Sequence, residues 1–268
     1  MSRIPRTTDV RGQLLLLGTG TSMGVPVIGC DCPTCSSDDP RNRRTRTSVV
    51  LGLPEGNLLI DTPPDLHAQL LRERLGIIHA AAFTHAHADH LFGFDDLRLF
   101  PYYLGRPLPI YCEPKVEERI RLSFDYAFDP ALASIAAGGV PQVEFHTIGL
   151  EPFDVLGARI TPIRLGHGRL DILGFRVGDI AYCTDTNRIP EESWPRLSGL
   201  KVLILDALRH RSHPTHFNLE ESLAAAQRIG AERTFFTHMS HDLEHVATSD
   251  ALPSGIELAY DGLRLPLM

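Results

Sequence analysis

The sequence predicts a layered α/β or α+β fold, and three observations carry that expectation. Short apolar runs of strand length recur along the chain. Helical periodicity fills several of the gaps between them. Many of the runs stop abruptly at aspartate or histidine, as expected where loops at one rim of a rigid sheet gather functional side chains.

The first run is Leu14 to Leu17, followed by the glycine-rich segment Leu17-Gly18-Thr19-Gly20-Thr21-Ser22-Met23-Gly24. A nucleotide-binding loop needs a helix directly after it, whereas Val25-Pro26 and a cysteine cluster follow here, so a tight turn bordering a site rim is expected. Arg41, Arg43, Arg44 and Arg46 read as a solvated basic loop, with bidentate binding of a substrate phosphate by one of them as the alternative. Strands are expected at Ser48 to Leu51, Leu58 to Ile60 and Ala80 to Phe83. Helices are expected at Leu66 to Leu75 and Val116 to Tyr126. Further strands follow at Ile160 to Ile163, Ile180 to Cys183, Val202 to Leu205 and Thr234 to Phe236, with a helix over Leu219 to Ile229 opened by Asn218 as N-cap. Ile256 to Tyr260 and Leu263 to Leu265 flank Asp261-Gly262, a two-residue hairpin signal. Without repeats, low-complexity tracts or an obvious linker, residues 1–268 read as one domain.

With 268 residues and 43% hydrophobic composition the chain can bury a large core. Its net charge of −7 advertises no basic face, so stable nucleic-acid binding is not expected and a small or locally held substrate fits better. The polar, arginine-bearing N-terminal stretch does not read as a signal peptide, and no run approaches the ~18 apolar residues of a membrane span. A cytoplasmic protein is therefore expected. Three of the 5 cysteines, Cys30, Cys32 and Cys35, crowd together with ligand spacing rather than as a disulfide framework.

The densest signal is His85-Ala86-His87-Ala88-Asp89-His90. Alanine spacers leave room beside the ligands, and imidazole with carboxylate suits zinc, manganese or iron. Strand-end residues Asp61, His167, Asp185 and His238 are candidates to join it, whereas Asp206, which also ends an apolar run, could orient an active-site group or serve as an ordinary loop cap. This segment resembles the H-x-H-x-D-H motif of the metallo-β-lactamase superfamily at every position, and Asp61, His167, Asp185 and His238 follow in the superfamily's order. The resemblance implies a four-layer αββα sandwich. It also implies two divalent metals, one held by His85, His87 and His167 and the second by Asp89, His90 and His238, with Asp185 bridging. Aspartate at the bridging position, where the β-lactam-cleaving branch carries cysteine, disfavours antibiotic hydrolysis; Cys183 lies two residues too early to fill the role.

GTGTSMGVPVIGCDCPTC near the start and THMSHDLEHVATSDALPSGIELAYDGL near the end resemble the cyclic phosphoribosyl phosphodiesterases of the carbon-phosphorus lyase pathway. That resemblance implies a structural zinc on Cys30, Cys32, Cys35 and His241, a homodimer, and His216 as a catalytic histidine ahead of the helix at FNLEESLAAA. The expected reaction is hydrolysis of a small or cyclic phosphodiester, phosphoribosyl 1,2-cyclic phosphate foremost. Asp89 would help to orient the nucleophile, His216 would protonate the leaving group, and Asp61 would hold a ligand histidine, a plain strand-end cap being the alternative. Arg209 and Arg211, beside His216, are candidates for binding the substrate phosphate. The same fold can also serve a thioester or lactone hydrolase, or a tRNA-processing nuclease.

Overall fold

A computed structural model describes residues 5–129, 132 and 139–267. Met1 to Ile4 of the polar opening stretch lie outside the described residues. Strands β1 (Gln13–Gly18), β2 (Ser48–Leu53), β3 (Gly56–Ile60), β4 (Ala80–Ala82), β5 (Leu108–Cys112) and β6 (Val143–Thr147) build one sheet. Strands β7 (Phe153–Val155), β8 (Ala158–His167), β9 (Leu170–Val177), β10 (Ile180–Cys183), β11 (Val202–Asp206), β12 (Arg233–Thr237) and β13 (Ile256–Leu258) build the other, and β14 (Arg264–Pro266) returns to the first. The two 7-stranded sheets run β14-β1-β2-β3-β4-β5-β6 and β13-β12-β11-β10-β9-β8-β7.

Alternation along the strands sorts the apolar side chains into three seams. Leu14, Leu16, Val49, Leu51, Leu58 and Ile60 face Leu173, Phe175, Tyr182, Ile204 and Phe235 between the sheets. Their neighbours Leu15, Leu17, Val50 and Leu59 pack outward on Leu66, Leu70, Val116 and Ile120 of the helices at Leu66–Glu73 and Pro114–Ser123. On the far side Leu203, Leu205 and Phe236 meet Ala225 and Ala226 of the helix at Leu219–Ile229. The result is the four-layer αββα sandwich. Near-continuous apolar strands are what two-sided burial requires. No helix among the described residues is long and apolar enough to cross a membrane.

Local signals hold in some places and yield in others. Asn218 caps its helix through a full capping box with Glu221, and Gly230, at φ 68°, ends it. The first helix stops at Arg74, in a left-handed conformation at φ 53°, short of the expected Leu75. The expected helix to Tyr126 breaks at Phe124 and continues as a 3-10 turn over Asp125–Phe128.

The expected hairpin at Asp261-Gly262 does not form. Strand β13 pairs in parallel with β12, whereas β14 pairs antiparallel with β1 in the other sheet. The Asp261 carboxylate accepts from Thr19 Oγ1 at 2.8 Å, Thr45 N at 2.9 Å and Thr45 Oγ1 at 2.6 Å, so these two residues carry the chain between sheets. Packing of two edges has overridden a local turn preference.

The expected solvated arginine loop is also corrected. Arg41 pairs with Asp39 and Arg46 with Asp65, but Arg44 is 1% exposed. Arg44 donates to the carbonyls of Ser240 at 2.9 Å and Leu243 at 2.6 Å, tying the segment after β12 to the one before β2.

Candidate metal centre

The parallel pairings of β3 with β4 and of β4 with β5, and of β10 with β11 and of β11 with β12, align the carboxyl ends of those strands within each sheet. Asp61, His85, Asp185, Asp206 and His238 sit at or just past these ends, and His167 closes β8. Asp61, Asp185 and His238 adopt left-handed φ values of 65°, 57° and 60°. Such turns at non-glycine residues are rare and cost on the order of 1–3 kcal/mol each, and they cluster at functional sites. Asp89 and His90 lie on a short helix, Ala88–Leu91, that His87 precedes as N-cap.

The predicted residues come together in two groups. Ligand atoms of His85, His87 and His167 lie within 4.8 Å of one another, as do those of Asp89, His90, Asp185 and His238. Asp185 spans both: its Oδ2 is 3.7 Å from His85 Nε2 and 3.1 Å from His90 Nε2, while Oδ1 is 3.2 Å from His238 Nε2. Asp89 Oδ2 approaches His90 Nε2 at 3.5 Å and His238 Nε2 at 3.6 Å. Cys183 is wholly buried in the outer seam, its thiol pushed up to about 12 by desolvation, and takes no part.

Behind these atoms a second ring sets which imidazole nitrogen faces inward. His90 Nδ1 lies 2.8 Å from Asp61 Oδ2, and Asp61 also receives the Thr84 backbone N–H at 2.8 Å and its hydroxyl at 2.7 Å. With its proton given to Asp61, the Thr84 hydroxyl accepts from His85 Nδ1 at 2.9 Å. His167 Nδ1 donates to the Thr215 carbonyl at 2.9 Å. Each Nε2 is thereby left with its lone pair turned to the centre, the arrangement seen in histidine–metal triads. Burial first, and neighbouring imidazoles second, hold His85 well below the ordinary histidine range and bring His167 down to about 4, so both rings are neutral, the form that a metal takes.

The donor set fits a pair of divalent cations. The buried Nε2 atoms of His85, His90 and His238 have no hydrogen-bond partner among the described residues. His90 is driven the other way: burial opposes its charge, yet Asp185, Asp89 and Asp61 together lift its pKa well above the ordinary value. A cluster of carboxylates strong enough to do that calls for positive charge.

His216 stands at the edge of this cluster. Its ring stacks on His238 with centroids 4.6 Å apart, and it meets His167 edge-on at 4.7 Å. Asp206 Oδ2 holds its Nδ1 at 2.9 Å and also receives the Thr186 N–H at 2.8 Å. The sequence left Asp206 open between an orienting group and a loop cap; the geometry makes it the carboxylate that orients His216. Thr84 was missed. Its signal was available, since threonine precedes His85, Asp185 and His238 alike.

Some distance away, Cys30, Cys32 and Cys35 place their sulfurs 3.3, 3.5 and 3.4 Å from His241 Nδ1. A tetrahedral zinc with typical bond lengths has sulfur–nitrogen edges of roughly 3.5 Å, so this spacing fits one ion at the centre.

The description "Beta-lactamase superfamily domain" matches residues 56–239. A solved structure described as a new diphosphatase from the PhnP family is 46% identical, covers 94% of this chain and 96% of its own, and superposes with a TM-score of 0.87. An octanoyltransferase of Porphyromonas gingivalis is 36% identical over 94% of this chain, which spans only 51% of that protein's length. A coenzyme PQQ synthesis protein B of Methylorubrum populi is 27% identical over 72% of both chains. The strand-end histidines and aspartates, the four layers and these matches agree: the chain belongs to the metallo-β-lactamase superfamily of metal-dependent hydrolases and, within it, to the PhnP family.

Proposed function

We propose that this chain is a binuclear phosphodiesterase acting on a small or cyclic phosphodiester, with phosphoribosyl 1,2-cyclic phosphate the first substrate to try. His85, His87 and His167 would hold one ion, Asp89, His90 and His238 the other, and Asp185 both. Zinc and manganese suit this nitrogen and oxygen set equally. Two such ions supply Lewis-acid activation of water and neutralise charge growing on the phosphoryl oxygens.

The observation that carries the reading is the His216–Asp206 pair at the edge of the ligand cluster. An alkoxide departing from phosphorus needs a proton, and a histidine held through Nδ1 presents Nε2 for that transfer. Asp206 fixes the ring, Asp89 would orient the attacking water, and Asp61 with Thr84 keeps His90 and His85 in register. The diphosphatase of the PhnP family also has a phosphorus–oxygen bond as its named target. The octanoyltransferase name describes a protein about twice as long, so acyl transfer need not reside in the part matched here. Cys30, Cys32, Cys35 and His241 would hold a structural zinc.

The test is reconstitution with zinc and with manganese, then comparison of bis(p-nitrophenyl) phosphate, a phosphomonoester and an acyl thioester, with Asp89→Ala as control. Diester turnover that disappears in the variant supports the reading; thioester turnover without diester turnover overturns it.

A further inference from the structure

Beside His216, on the side toward His241, the surface sinks into a cavity of about 210 Å³. One wall is the glycine-rich segment that resembled a nucleotide loop, contributing Thr21 and Ser22. That wall is fixed in place, because Thr21 N donates to the Met239 carbonyl at 3.1 Å and Gly20 bridges both Met239 and Arg46. The facing wall carries Arg209, Arg211 and His213.

This cavity gathers cationic side chains. Arg41, Arg46 and Arg164 each sit against a carboxylate. Among the described residues Arg209 and Arg211 form no such pair; Arg209 is instead braced by the carbonyls of Arg211 at 3.2 Å and Ser212 at 2.9 Å. One carboxylate, Asp242, also lines the cavity, and its Oδ1 lies 3.8 Å from His241 Nε2. Two guanidinium groups that face no carboxylate partner, with hydroxyls opposite them, in a chain of net charge −7, describe a place for an anion.

Position gives that anion a role. His216 lines the cavity, and the same imidazole abuts the ligand cluster through His238 and His167. A group that leaves phosphorus with a proton from His216 departs on this side. We propose, on the strength of the hydrolytic reading above, that the Arg209–Arg211 cavity binds a phosphate carried by the leaving group. The preferred substrates are then diesters with a phosphorylated leaving group, a diphosphate diester being the simplest. Water adds to the phosphorus nearer the ligand cluster and the bond to the bridging oxygen breaks, its electron pair remaining on that oxygen. Two phosphomonoesters result, the protons of water passing to them and to solvent.

The test compares ADP-ribose, a diphosphate diester, with bis(p-nitrophenyl) phosphate, whose leaving group is uncharged until it departs. The full-length, metal-loaded protein is assayed as wild type, Arg211→Ala, Arg209→Ala and Arg209→Lys. Arg211 is exposed and makes no bond that the fold needs, so its variant reads the cavity alone. The ratio of kcat/KM for ADP-ribose to that for bis(p-nitrophenyl) phosphate should fall about 10- to 100-fold in either alanine variant, the effect of losing one charge-assisted hydrogen bond. Arg209→Lys should recover part of it. An unchanged ratio in both alanine variants overturns the cavity's role while leaving the hydrolase intact. Wild-type protein inert toward both substrates overturns the hydrolytic reading and the cavity's role with it.

Discussion

Arg44 and Arg41 stand three residues apart in one basic run, and replacing each by methionine should give clearly unequal results. In Arg44→Met the carbonyls of Ser240 and Leu243, which now accept at 2.9 and 2.6 Å, lose their donors. A buried acceptor left unmatched costs about 1–3 kcal/mol, so the two together cost roughly 2–6 kcal/mol. Against this, burial draws the Arg44 pKa down to about 10, a desolvation cost that methionine does not carry and that places the outcome toward the lower end of that range. Methionine approximates the lost volume, so the cavity contribution is small. The net loss should be on the order of 2 kcal/mol. With an m-value of about 3 kcal/mol/M in urea, the unfolding midpoint should move down by about 0.7 M at fixed zinc concentration. The side chain of Arg41 is 43% exposed and its ion pair with Asp39 lies at the surface. Such pairs contribute about 0–1 kcal/mol, so Arg41→Met should shift the midpoint by no more than about 0.3 M. Equal shifts in the two variants, or none in Arg44→Met, would refute the reasoning that carbonyl capping decides the outcome.

Other expectations follow from the same coordinates. Asp206→Asn should lower kcat by about 100-fold on a diester with a poor leaving group and much less on a p-nitrophenyl ester, because only the former needs His216 in register; equal losses would remove the acid role. Asp61→Asn weakens the supports of His90 and, through Thr84, of His85, so competition with a chelator should show metal affinity lower by about 10- to 100-fold. Cys35→Ser should reduce bound zinc by one ion per chain in elemental analysis, and unchanged metal content would argue against the site. His245 is 4% exposed, and burial, with Arg41 and Arg44 nearby, lowers its pKa from 6.5 to about 4. The unfolded chain therefore binds more protons between those values, so stability should fall as pH drops from about 6.5 to 4, by roughly 3 kcal/mol. His245→Gln should flatten that slope, and superimposable pH profiles would show that His245 is not its source.

Much of the centre could be read from the sequence because its ligands cap apolar runs: a strand that ends in histidine or aspartate announces itself without any knowledge of its neighbours. His85 through His90 needed only local spacing. Asp206 remained ambiguous because the same residue type ends ordinary loops, and only the ring of His216, brought back by ten residues of chain, distinguishes the two. Thr84 was invisible for a related reason, since a hydroxyl has many uses and its bond to Asp61 spans two strands. The Asp261-Gly262 turn misled because local φ preferences say nothing about which sheet edge waits beyond them. Arg44 misled because a run of arginines is read by its average, whereas burial is settled residue by residue by the carbonyls within reach. The cysteine cluster showed three ligands and no nearby fourth; His241 lies 206 residues from Cys35 and was supplied by resemblance alone.

The division of the centre between two sheets has a consequence for the order of assembly. Asp61, His85, His87, Asp89 and His90 belong to the first sheet's loops, and His167, Asp185, Asp206 and His238 to the second's. A growing chain thus displays half of its imidazoles and all three clustered thiols long before their counterparts have been synthesised. On the proposed function, the early half would offer cations a loose, incomplete grip during that interval, open to whichever metal is abundant. Discrimination would then come late, when β12 docks and brings His238 and His241 to the two clusters together.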